Sequence, residues 1–132
     1  MASIWKEVVL DATPDTVWQA LRNVGELHRV LVPGFVLDAQ MDGDARIVTF
    51  FNGLVIREPI VTIDEERRRL VWTAVGGATS HYNAAAQVFP EGPDRVRFVW
   101  TVDLLPNGAA PAVADMMDRG LQTIATTLNR QG

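Results

Sequence analysis

GFVLDAQMDGDARIVTFFNG, residues Gly34–Gly53, holds two alternating runs joined at Asp42-Gly43 and closed by Asn52-Gly53. Such dipeptides supply the positive backbone angles that two-residue hairpin loops require, so they announce consecutive antiparallel strands. Working outward, Gly76-Gly77 and Glu91-Gly92 continue the ladder, with a weaker turn at Asp64-Glu65-Glu66-Arg67. The ladder predicts strands over 35–41, 45–51, 54–63, 69–75, 79–89 and 94–104. Upstream, a strand over 3–12 runs into Thr13-Pro14-Asp15, a helix start with a hydroxyl cap, a first-turn proline and an early acid. That helix reaches about Arg22, and a second over 24–31 ends at Pro33-Gly34. Downstream, Val113, Met116, Met117, Leu121, Ile124 and Leu128 recur at helical spacing over 110–130. Sheet and long helix each need an apolar face covered, and mutual burial satisfies both. The predicted class is α+β: a curved seven-stranded antiparallel sheet, two short helices after strand 1, and a long C-terminal helix over its concave face.

If every turn is a two-residue loop, register follows, and register decides which side chains share a face. Phe35, Leu37, Val48, Phe50, Val55, Val61, Leu70, Trp72, Phe89, Val96, Phe98, Trp100 and Val102 then fall on one face. The other receives Asp38, Gln40, Thr49, Glu58, Thr62, Thr73, Arg95, Arg97, Thr101 and Asp103. Such separation suits a sheet with one buried side. Ile47, Ile56, Ile60 and Val71 are the misfits, and a bulge would flip whatever lies beyond it. Gly120, mid-helix, and Ala84-Ala85-Ala86 either allow a close approach of helix to sheet or are simply tolerated small residues.

Composition excludes much chemistry. The length of 132 residues suits a single domain, 1–132. A net charge of −4 argues against nucleic acid or an anionic membrane as partner. No apolar run approaches the ~20 residues of a membrane span, and the N-terminus lacks a basic-then-apolar leader, so the chain reads as cytoplasmic and not membrane-inserted. Without cysteine there is no thiolate or cysteine–zinc chemistry. With only His28 and His81, a three-histidine metal site is impossible. Nucleotide-binding glycine motifs are missing. No metal or cofactor is expected.

Among polar residues phased inward, Arg46 lies near a strand end and snorkels to water, whereas Arg57 is mid-strand. A buried guanidinium needs a partner. Arg57 therefore either faces a ligand, forms an internal pair, or lies outside through a bulge that turns Glu58 inward. The same phasing sets His81 against Trp72 and Asn83 against Trp100, an amphipathic wall for a planar, partly polar molecule; His81 also fits a satisfied core histidine. Tyr82 faces away. Candidate ligand-binding residues are Phe50, Arg57, Trp72, His81, Asn83, Phe98, Trp100, Met117 and Leu121. Arg57 and His81 are the catalytic candidates, His81 as proton carrier.

Four segments carry a family resemblance: EVVLDATPDTVWQAL (Glu7–Leu21), the Gly34–Gly53 hairpins, RRRLVWTAVGG (Arg67–Gly77) and RVRFVWTVDLLP (Arg95–Pro106). With their order, the chain resembles the START/Bet v 1-like (SRPBCC) superfamily, in its bacterial polyketide cyclase/dehydrase-like branch. The resemblance implies a helix-grip fold with a cavity between sheet and long helix. Its members bind apolar ligands, cyclise or dehydrate polyketides, or activate a chaperone ATPase, with no fixed catalytic set to transfer. The leading expectation is binding of a small apolar or aromatic, partly oxygenated molecule. The alternatives are a cyclase/dehydratase in the same cavity, or a protein-interaction module with a filled core. A homodimer through an edge strand stays open.

Overall fold

The computed structural model describes residues 1–129. Arg130, the end of the expected final helix, lies outside them. Seven strands form one antiparallel sheet: β1 (Ala2–Leu10), β2 (Val36–Asp42), β3 (Ala45–Phe50), β4 (Val55–Asp64), β5 (Arg69–Thr73), β6 (His81–Pro90) and β7 (Val96–Leu105). Their spatial order is β1-β7-β6-β5-β4-β3-β2, so only β1 is displaced from its sequence neighbour. Between β1 and β2 lie the helices α1 (Pro14–Arg22) and α2 (Leu27–Val30), and α3 (Ala110–Leu128) closes the chain. This is the helix-grip arrangement: a curved sheet with a long helix across its concave face.

Local chemistry explains the helical segment. The Thr13 hydroxyl accepts from the Thr16 amide at 3.1 Å, Pro14 occupies the first turn and Asp15 faces the positive helix end. Val17, Trp18, Ala20 and Leu21 form the buried face of α1. Trp18 Nε1 and Arg22 Nε donate to Glu65 at 2.8 and 2.6 Å, tethering α1 to the β4–β5 turn. Those two donors hold the Glu65 carboxyl below the usual carboxylate range.

Along α3, Met117, Leu121 and Ile124 are buried, and Lys6 of β1 meets Asp118 at 3.1 Å. Gly120 does permit a close approach, although its neighbour is not the alanine run. A Cβ there would lie 2.8 Å from Trp100 Cζ3 and 3.3 Å from Phe35 Cε2. The missing methyl thus lets α3 settle on two aromatic rings. Among the described residues, no helix is long and apolar enough to cross a membrane.

Register departs from the two-residue assumption in a regular way. Asp42 pairs with Ala45 around a true two-residue loop, Gly43-Asp44, and Asp64 pairs with Arg69 around four residues. Both are even counts and preserve the expected faces. The other three loops are odd. Phe50 N–H bonds Leu54 O across 51–53, Ala74 N–H bonds Tyr82 O across 75–81, and Glu91 N–H bonds Arg95 O across 92–94. Each odd loop shifts pairing by an odd number of residues and exchanges the faces of the strand beyond it. Bulges at Leu37 and Val61 add two local shifts.

Consequently β3, β5 and β7 present the expected residues inward, but β6 and most of β4 are turned over. Ile56 and Ile60 point inward, whereas Val55 and Val61 are exposed. Leu37 is exposed at its bulge, and Phe89 lies outside against Arg97. Val71, buried on the outer face, and half-buried Ile47 stay where the phasing put them.

Candidate functional site

Between the concave face and α3 lies a cavity of about 310 Å³, within the range of small-molecule sites. Phe50, Trp72, Phe98 and Trp100 form its sheet wall, and Val113, Met116 and Met117 its helix wall. Leu27 and Leu31 close the α2 side, while Leu54 and the loop 76–79 stand at the β3–β4 and β5–β6 ends. The rings are mutually packed: Trp72 and Trp100 centroids are 6.3 Å apart, and Phe35 meets Phe50 edge-on at 5.6 Å.

One charged pair interrupts this apolar lining. Arg46 of β3 and Glu58 of β4 are direct cross-strand partners, with Nε to Oε1 at 2.8 Å. Their side chains are only 4% and 9% exposed. Arg46 Nη1 also reaches the Val24 carbonyl at 3.3 Å, and the guanidinium stands 5.3 Å from the Trp72 ring centre. Cation–π attraction and two hydrogen bonds offset a desolvation that would otherwise cost several kcal/mol per ion. Tyr82 of β6 lines the same cavity. Seclusion from bulk water, followed by the Glu58 carboxylate, pushes its phenol pKa upward, so it keeps its proton. On β7 of the same sheet, the Trp100 indole N–H is buried without a hydrogen-bond partner. Such an orphan donor typically costs about 1–3 kcal/mol.

These positions correct part of the expected site. Phe50, Trp72, Phe98, Trp100 and Met117 come together on the cavity; Leu121 is buried behind it in the core. Arg57, His81 and Asn83 do not join them. Arg57 faces outward and binds Asp42 at 2.7 Å, its side chain 45% exposed. His81 is exposed opposite Leu105, and Asn83 pairs with Asp103 and Thr73 on the outer face. Trp72 is set against Ala84, not His81, because the β5–β6 connection is odd. Arg46, expected to snorkel, is buried, and Tyr82, expected to face away, points inward. A signal for Glu58 was present in the misfits: turning β4 over by one residue brings Ile56 and Ile60 inward and carries Glu58 with them. Among the described residues, no cluster of three or more metal-ligating side chains occurs.

With that geometry in hand, the chain can be compared with known proteins. Residues 1–129 match the family described as "Polyketide cyclase / dehydrase and lipid transport", and the chain belongs to that family. No curated protein matches it. Several solved structures share the fold. XoxI from Bacillus cereus is 16% identical with a TM-score of 0.87, covering 97% of this chain and 96% of that one. A START superfamily protein from Mycobacterium smegmatis is 14% identical with a TM-score of 0.72, covering 95% and 92%. Norcoclaurine synthase from Thalictrum flavum, in complex with dopamine and hydroxybenzaldehyde, is 19% identical with a TM-score of 0.65, covering 98% and 89%. Family and fold together point to a ligand-binding cavity.

Proposed function

We propose that the protein binds a small apolar or aromatic, partly oxygenated molecule in the cavity between the sheet and α3. The observation that carries this reading is an apolar chamber of about 310 Å³ into which Arg46, Glu58 and Tyr82 bring a few polar groups. Phe50, Trp72, Phe98, Trp100 and Met117 supply contact area, while Arg46, Glu58 and Tyr82 orient oxygen atoms. Flexible Met116 and Met117 let the helix wall adapt to the guest.

Native mass spectrometry of the protein purified from its own host tests this directly. The expected result is a bound mass that organic solvent releases and whose return quenches Trp72 and Trp100 fluorescence. A bare protein that also takes up none of a panel of aromatic ketones and phenols would sink the reading.

A second reading places cyclisation or dehydration in the same chamber. The protonated Tyr82 phenol beside the Arg46–Glu58 pair favours it, since a donor and a carboxylate then face one guest. The outward positions of Arg57 and His81 move any such chemistry away from them. Turnover that is lost in Tyr82→Phe while binding persists would select this second reading.

A further inference from the structure

We propose, resting on the cavity-binding reading, that the guest is uncharged and that Glu58 is the residue that excludes carboxylates. A lone arginine in an apolar chamber is a receptor for an anion, because its desolvated charge demands a partner. Here that partner is built in: Glu58 Oε1 occupies Arg46 Nε at 2.8 Å, and both side chains are more than nine-tenths buried. Among the described residues that line the cavity, these two are the only charged ones. The wall is therefore polar with no net charge.

A carboxylate guest would have to displace Glu58 into surroundings that offer it no second cation, or lie beside it as a like charge. An ammonium guest meets the reverse problem at Arg46. A neutral oxygenated guest avoids both. The pair's own contacts run through Nε, Nη1 and Oε1. This leaves Nη2 as donor and Oε2 as acceptor, and Tyr82 lines the same cavity. A carbonyl or hydroxyl group on an aromatic frame is complementary to that arrangement. The ligand class is thus neutral aromatic ketones, phenols and hydroxyketones, and excludes aromatic acids and fatty acids.

The test uses two probes with the same ring system, 2-acetylnaphthalene and 2-naphthoate, titrated at neutral pH by quenching of tryptophan fluorescence. The unaltered protein is expected to bind the ketone at least about tenfold more tightly than the acid. In Glu58→Gln, which keeps the shape but frees Arg46, the acid is expected to gain about tenfold or more relative to the ketone. Equal binding of both probes by the unaltered protein overturns the inference alone, and so does a ratio that Glu58→Gln leaves unmoved. If the variant does not fold, the ratio in the unaltered protein still decides. Failure of both probes to bind overturns the cavity reading and this inference with it.

Discussion

Two ion pairs that share strand β4, one reaching β3 and the other the end of β2, have nearly the same length and opposite surroundings. Arg46–Glu58 spans 2.8 Å on the concave face, and Arg57–Asp42 spans 2.7 Å on the convex face. The inner pair is 4% and 9% exposed, the outer pair 45% and 63%. Distance therefore does not separate them; solvent does. Outside, water screens both charges whether or not they touch, and such pairs contribute about 0–1 kcal/mol. Inside, each ion depends on the other, and Arg46 additionally on the Val24 carbonyl and the Trp72 ring. Charge on the outer wall decorates the surface, whereas charge on the inner wall constrains what can enter.

The sharpest way to break this contrast is to remove one member of each pair. Glu58→Ala leaves Arg46 buried without its carboxylate and is expected to cost about 3–5 kcal/mol in urea unfolding. Asp42→Ala should cost less than about 1 kcal/mol. Replacing the inner pair together, as Arg46→Met with Glu58→Leu, should restore most of the loss, since well-packed apolar residues often equal a buried pair. Equal costs for Glu58→Ala and Asp42→Ala would dissolve the distinction.

A smaller effect comes from the inner wall's phenol. The raised Tyr82 pKa means that above its ordinary value near 10 the unfolded chain releases a proton that the folded chain retains. The unfolded state then binds fewer protons, so stability falls as pH rises. Its contribution is fully present below pH 10 and fades above it. Urea midpoints at pH 9 and pH 11 should therefore differ more for the unaltered protein than for Tyr82→Phe. An identical alkaline loss in the variant would assign the effect to other groups.

The same contrast shows what the sequence could convey. Turn residues mark where positive backbone angles are available, and Gly43, Gly53, Gly76, Gly77 and Gly92 all adopt them. With apolar spacing, that was enough to place the seven strands and three α-helices, since both are local properties. What a glycine does not reveal is how many residues its loop spends. Gly53 closes a three-residue loop where two were assumed, so Arg57 and Glu58 exchanged faces. A further odd loop did the same for His81, Tyr82 and Asn83. The aromatic wall survived because β3, β5 and β7 sit an even number of exchanges apart. The polar half of the site lay on β4 and β6 and was inverted. The remedy was also in the sequence, in two isoleucines on a supposedly solvated face.

The smallest expected effect belongs to the residues that left the cavity. Arg57→Met removes an exposed, screened charge but keeps an aliphatic stem on the strand. His81→Ala removes an exposed ring at the start of β6. Neither leaves a buried group unpaired, so each should shift stability by no more than about 0.5–1 kcal/mol. For the same reason, neither should change the affinity for 2-acetylnaphthalene by more than about twofold. A tenfold loss in either variant would mean that the convex face shapes the guest after all. It would require a route from the outer wall to the chamber, through Ile47 or Val75, which are the direct cross-strand neighbours of Arg57.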